Sequence, residues 1–153
     1  MGKTWKEKLN DTTGLPRIQQ LTKKSETGTI VIPSPLDVDL IMRKVAKGKL
    51  TTISDIRKAL AVKYGTLTAC PISTGIFVCM AANAANEDYL NGEKIFTPYW
   101  RTLRTGGMLN PQFPGGIRHQ IRLLAAEGHS FIYKKKNMIV ENYHWFITED
   151  IYE

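Results

Sequence analysis

Read as apolar and polar positions, the chain has a polar lead, a middle of helical periods and an alternating tail. Residues 1 to 29 hold no sustained period, and "LTKKSETG" (21–28) reads as a loop or flexible arm. "TIVIP" is then a short apolar strand. "SPLDVDLIMRKVAKG" predicts a helix, with Ser34 as its cap, Pro35 in the first turn, Leu36, Leu40, Ile41 and Val45 on one face, and Gly48 as its stop. "SDIRKALAVKYG" repeats the grammar: Ser54 caps, Ile56, Ala59 and Leu60 face inward, and Gly65 terminates. After the turn-like "TLTACP", "ISTGIFVCMAANAANEDYLNG" predicts a long helix ending near Gly92, with Ile76, Phe77, Met80, Ala81 and Ala84 inward. Two helices joined by a short turn suggest a helix-turn-helix, although many helix pairs have no nucleic-acid role.

"TPYWRTLR" (97–104) reads as extended, with Tyr99, Arg101 and Leu103 on one face and Trp100, Thr102 and Arg104 on the other. "TGGMLNPQFPGG" is crowded with turn formers and long enough to be a wing or a functional lid. "IRHQIRLLAAEG" predicts an amphipathic helix with Ile117, Ile121 and Leu124 inward, Arg118 and Arg122 outward, and Gly128 as its stop. "SFIYKKKNMIVENYHWF" predicts a β-hairpin turning at "KKKN".

At 153 residues, 42% apolar and 23% charged, the chain suits one soluble domain. No apolar run approaches the roughly 18 residues of a membrane span. The opening "MGKTWKEKLN" has no apolar signal core, and Lys6 stands where a myristoylation signal favours Ser or Thr, so a cytoplasmic protein without a membrane partner is expected. The net charge is +7, falling from +5 over residues 1–49 to +3 over 50–128 and −1 over 129–153, which favours an anionic partner. The two cysteines, Cys70 and Cys79, form no CxxC pair and have no histidine at ligand spacing, so neither zinc, a disulfide nor any other cofactor is signalled.

Residues 34 to 129 resemble the DNA-binding domain of the alkylguanine-DNA alkyltransferases and their non-catalytic alkyltransferase-like relatives. "SPLDVDLIMRKVAKGKLTTISDI" is similar to that family's entry helix and the start of its helix-turn-helix, and "ISTGIFVCMAANAAN" to its recognition helix. "TPYWRTLR" falls on the Pro-Cys-His-Arg site, and "FPGG…LLAAEGH" on the Tyr-x-Gly-Gly loop and closing helix. The resemblance implies a minor-groove reader that flips a damaged guanine into a pocket beside the cysteine. Pro98, Arg101, Gly115, Gly116, Glu127 and Gly128 keep the pattern. Tyr99 stands at the cysteine and Trp100 at the histidine; Ile53 falls at the flipping tyrosine, Gly75 or Thr74 at the intercalating arginine, and Asn83 or Asn86 at the recognition-helix asparagine.

Phenol titrates near 10 against about 8.5 for a thiol and is the poorer nucleophile towards alkyl carbon, so no alkyl transfer is expected. Tyr99 and Trp100 either fill the old pocket or offer a stacking platform for a base, with Trp100 expected as the plug and the Tyr99 hydroxyl left able to reach a ligand at the mouth. Arg101 is expected to bridge Glu127, whose carboxylate at a helix C-terminus needs a cation. Ser73, Thr74, Gly75, Arg57, Arg104 and Arg118 are the candidate nucleic-acid contacts, Arg57 and Lys58 from the exposed face of a helix. The expected fold is α/β, a winged-helix-like alkyltransferase-type DNA-binding domain (34–129) with an N-terminal arm and strand (1–33) and a C-terminal β-hairpin extension (130–153). The expected function is non-enzymatic binding of DNA with low lesion specificity, sensing alkylated or otherwise damaged DNA with a repair protein as partner. Two alternatives stand: an interaction module whose old pocket takes a protein or small ligand, and an enzyme with a relocated nucleophile at Cys70 or Cys79.

Overall fold

In the computed structural model, residues 2–21 and 28–153 are described. The capping signal at Ser34 is realised as a reciprocal box: Ser34 Oγ accepts from the Asp37 N–H at 3.1 Å, and the Asp37 carboxylate accepts from the Ser34 N–H at 3.0 Å. It opens helix α2, Pro35–Arg43, which stops before Gly48. Val38, Ile41 and Met42 are its buried apolar positions, while Leu40, expected inward, is 52% exposed. A 3.6-residue period rotates Leu40 off the 38–41–42 stripe.

Helix α3, Ile53–Tyr64, buries Ile56, Ala59 and Leu60 and ends on the left-handed Gly65, as the pattern predicts. Its cap is Thr52 rather than Ser54. Thr52 is followed three residues later by Asp55, and the two exchange contacts of 3.1 and 2.7 Å; Ser54 is followed by Arg57, which cannot accept.

Helix α4, Pro71–Leu90, is the wall on which three other helices rest. Its buried face is Thr74, Val78, Ala81, Ala82, Ala84, Ala85 and Asp88. Ile76, expected inward, is 55% exposed. Alanine on the inner face lets neighbouring backbones come close, and α2 and α3 both pack there, with helix α1, Trp5–Asn10, as a third neighbour.

The N-terminal residues expected to be irregular therefore carry structure. Leu9 of α1 is buried, the Glu87 carboxylate of α4 accepts from the N–H groups of Trp5 and Lys6 at 2.9 Å each, and Lys6 Nζ reaches Asp88 at 2.8 Å. A helix too short to stand alone is thus held by charge at its positive end. Strand β1, Arg17–Gln20, pairs antiparallel with β2, Thr29–Ile32, which pairs parallel with β4, Thr68–Ala69. Of the expected loop "LTKKSETG", residues 22–27 lie outside the described residues.

Two-residue strands β3, Thr51–Thr52, and β5, Thr102–Leu103, form a parallel pair. Helix α5, Gly116–Ala125, follows, and the hairpin of β6, Phe131–Lys134, and β7, Asn137–Val140, turns as predicted through Lys135 and Lys136 at φ 50° and 66°. The chain beyond folds back: Ile147 bridges Leu50, and Leu50, Leu103, Leu109, Leu124 and Val140 form a second buried cluster beside the one around α4. Trp100 packs against both clusters. No helix among the described residues is long and apolar enough to cross a membrane.

The Glu87 cap generates a prediction. Glu87→Ala should cost about 1 to 2 kcal/mol, the usual worth of a helix cap, by freeing α1. Urea denaturation checks the cost, and hydrogen exchange should speed up selectively in residues 5–10.

Candidate nucleic-acid interface and aromatic pocket

The "TPYWRTLR" segment is not an extended strand. Thr97 Oγ1 donates to Asp39 of α2 at 2.6 Å, the Tyr99 N–H donates back to the Thr97 carbonyl at 2.8 Å, and Tyr99–Arg101 winds into one 3₁₀ turn before β5. Side chains therefore fan out by about a third of a turn per residue instead of alternating. Tyr99 points into the core, 3% exposed, with ring centroids 5.4 Å from both Trp100 and Phe113 in edge-to-face contacts. Trp100 is half-buried. The plug is thus Tyr99 and the partly open ring is Trp100, the reverse of the expectation from sequence.

The expected bridge between Arg101 and Glu127 forms, with three contacts of 2.9 to 3.2 Å. Glu127 also accepts from Trp100 Nε1 at 2.9 Å and from the Gly48 N–H at 3.1 Å, while Arg101 Nη1 donates to the Val45 carbonyl at 2.8 Å. Burial alone would raise the Glu127 carboxyl; Arg101, the Gly48 N–H and the Trp100 indole outweigh it and hold the carboxyl below its ordinary value. Nearby, His129 is buried, and neither ring nitrogen is hydrogen-bonded among the described residues; its ring is 4.7 Å from that of Phe146. Burial lowers its proton affinity, with the Glu127 charge pulling the other way.

Tyr99 and Trp100, with Tyr89, Phe96 and Leu123, wall an apolar cavity of about 120 Å³ edged by Asn86 and His119. The loop "TGGMLNPQFPGG", expected as a wing or lid, is anchored: Leu109 and Phe113 are buried, and Asn110 N donates to Gln120 Oε1 at 2.9 Å. Gln120, 1% exposed, donates in turn to the Trp100 carbonyl at 3.1 Å. The sequence reading missed it, although its spacing of three from Ile117 and four from Leu124 puts it on the inward stripe of α5.

The nucleic-acid candidates separate. Gly75 lies with Ile53, Ile72, Ile76, Cys79, Arg104, Asn110 and Gln112 on an open cleft of about 370 Å³ between the first half of α4 and the anchored loop. Ile72 and Ile76, one turn apart and 74% and 55% exposed, also line it, and neither is among the contacts expected from sequence. Arg104 is fixed through Nε to the Leu109 carbonyl at 2.8 Å, leaving the rest of its guanidinium on the cleft. Ser73 is half-buried. Thr74 is fully buried and donates to the Cys70 carbonyl at 2.6 Å, so it is a structural residue and not a contact. Arg57 is half-buried rather than on an exposed face, tied to Ala69 O at 3.0 Å and Thr68 Oγ1 at 3.2 Å. Arg118 lies outside this cleft, on a depression beside the aromatic cavity.

Among the described residues neither thiol meets a histidine or a carboxylate. Cys79 meets Asn110 and Gln112, and burial pushes it up despite the Asn110 contact. At the start of α4, burial would raise the Cys70 thiol, but Ser73, the Ile72 N–H and the Arg57 charge hold it below its ordinary value. Among the described residues no cluster of three His, Cys, Asp or Glu could hold a metal ion.

No protein-family model matches the chain, and no curated protein does. A solved structure, S. pombe Atl1 in complex with damaged DNA containing O6-carboxymethylguanine, is similar over 75% of this chain and 94% of that one, at 16% identity and a TM-score of 0.51. The likeness bears out the α/β alkyltransferase-type fold expected from the resemblance.

Two predictions follow from the Glu127 network. Arg101→Met leaves a buried carboxylate without its cation and should cost about 3 to 5 kcal/mol, a loss that shrinks in acid where Glu127 protonates; chemical melts at pH 7 and pH 4 test both parts. His129 binds protons less readily folded than unfolded. Stability should therefore fall as pH drops from the ordinary histidine value of 6.5 towards the lower folded value, before Glu127 protonates. In His129→Leu the slope between pH 7 and pH 5 should flatten, read from melting temperature against pH.

Proposed function

We propose that this chain is a non-enzymatic DNA-binding protein that senses damaged DNA, engaging it through the first half of α4 and the cleft beside it. The observation that carries this reading is the lining of that cleft, where Ile72 and Ile76 are exposed and Arg104 lines the same cleft. Exposed isoleucines on a helix are costly to hydrate and suited to wedging against unstacked bases, while Arg104 meets a phosphate. Gly75 between them carries no side chain to intercalate, so the isoleucines replace an arginine wedge. The net charge of +7 supports an anionic partner.

The likeness in fold to S. pombe Atl1, solved with DNA containing O6-carboxymethylguanine, supports the same class of ligand. A chemical role is disfavoured by the residue at the old nucleophile position. Tyr99 is buried, and its hydroxyl is pushed up by that burial, so it stays protonated and a poor acceptor of an alkyl group. A binder that cannot repair must hand the lesion on, so the reading includes a repair protein as a second partner and a cytoplasmic location. Gly75 lies on the contact surface, with Ser73 and Arg57 as further contacts in this reading.

Fluorescence anisotropy on a labelled duplex, with and without O6-carboxymethylguanine and over a salt series, tests the reading. Affinity should fall steeply with salt and favour the lesion duplex by only a few-fold. Ile72→Ser with Ile76→Ser should weaken binding by about 10-fold, the worth of partly burying two such side chains, without changing the salt slope. Arg104→Ala should reduce that slope by about 1. Incubation with the lesion duplex should leave the protein mass unchanged. Absence of binding at 50 mM salt, or a stoichiometric alkyl mass gain, would overturn the proposal.

A further inference from the structure

The aromatic cavity behind the 3₁₀ turn has features that DNA binding at the α4 cleft does not use. Its volume, about 120 Å³, is close to that of an engineered apolar cavity of about 150 Å³ that takes up benzene. That volume matches one six-membered ring more closely than a fused bicycle. Tyr89, Phe96 and Trp100 offer edges and faces to such a ring, with Phe96 at 6.2 Å from Trp100 and 5.9 Å from Tyr89 in edge-to-face geometry.

The polar groups around the cavity are unengaged. Tyr99 is 97% buried, lines the cavity, and its hydroxyl makes no hydrogen bond among the described residues. With no partner on a described residue, that hydroxyl is free to bond a ligand atom in the cavity. The Asn86 amide and the His119 ring on the rim are likewise without hydrogen bonds among the described residues. The same three rim residues, Asn86, Tyr89 and His119, continue into a second depression that adds Gly115, Arg118 and Arg122.

That second depression is cationic. Arg118 and Arg122 are exposed, one helical turn apart on α5, and neither forms a salt bridge with a described residue. No side chain caps α5, so its positive end is uncovered there. Gly115, at φ +81°, lets the chain pass over His119: a Cβ at that position would lie 2.5 Å from His119 Cβ. Glycine is thereby required for the helix start to sit against the cavity rim.

We propose that the aromatic cavity and its arginine mouth form a binding site for a monocyclic aromatic anion, with the ring between Tyr89, Phe96 and Trp100, a polar ring substituent on the Tyr99 hydroxyl, and the carboxylate or phosphate on Arg118 and Arg122. Neither arginine lines the α4 cleft, so this site does not rest on the DNA-binding reading. Neutralising two guanidiniums and filling an apolar cavity are separable contributions, and each can be removed alone.

Isothermal titration of the full chain with phenyl phosphate and with 4-hydroxybenzoate tests the proposal. At least one should bind with a Kd on the order of 1 mM or tighter, as expected for a ligand of about eleven heavy atoms. Inorganic phosphate (anion without ring), benzyl alcohol (ring without anion) and 1-naphthyl phosphate (ring too large) should each bind at least about 10-fold more weakly. The double variant Arg118→Ala and Arg122→Ala should lose about 10-fold or more while melting like the parent, since both side chains are exposed. Lys134→Ala, a charge loss on the β6–β7 hairpin, should leave binding unchanged. Tyr99→Phe should weaken 4-hydroxybenzoate by several-fold and leave benzoate alone. The site is overturned if neither aromatic anion binds at 10 mM, if inorganic phosphate binds as tightly as phenyl phosphate, if the naphthyl compound is accepted equally, or if the double arginine variant binds like the parent.

Discussion

The Glu127 carboxylate is the point on which the structure turns. It is a negative charge at the C-terminal end of a helix, an unfavourable place by itself, and four donors from two other parts of the chain make it favourable: Arg101 twice and the Trp100 indole from the 3₁₀ turn, and the Gly48 N–H. Through it the exit of α2, the 3₁₀ turn and the end of α5 share one anchor. Arg101 adds the Val45 carbonyl, so the guanidinium is spent on structure and does not face solvent.

That anchor sets where the two aromatics go. With Arg101 pulled towards Glu127 and Thr97 held on Asp39, the short turn between them has to place Tyr99 inward and Trp100 sideways. Tyr99 occupies core volume against Phe113, and Trp100 joins the two apolar clusters while keeping one face on the cavity. A position where the resemblance implies a thiol and an imidazole is therefore filled by packing and stacking groups, and the surface chemistry moves to two neighbouring places. One is the isoleucine-lined cleft of α4; the other is the arginine mouth of the aromatic cavity.

The alanine-rich inner face of α4 is the second constraint. Because α1, α2 and α3 all lie on it, the larger side chains of the same helix, Ile72 and Ile76, are left on the outside. A pair of exposed isoleucines is thus a by-product of close packing within, which is how a helix with almost no amphipathic contrast can still present a distinct outer face.

Much of this was legible in the chain. Helix starts at Ser34 and Pro35, the Gly65 stop, the Lys135–Lys136 turn and the pairing of Arg101 with Glu127 follow from caps, left-handed positions and charge, which act over a few residues or through one strong pair. What the sequence could not determine was decided by contacts between distant segments. Residues 5–10 become a helix because Glu87 and Asp88 reach them across the fold; Leu40 and Ile76 face outward because neighbouring helices cover other stripes; Tyr99 and Trp100 exchange roles because a 3₁₀ turn rather than a strand carries them. Local rules say that a segment will wind or extend, but which face is buried depends on which partner arrives, and that is a property of the whole packed chain.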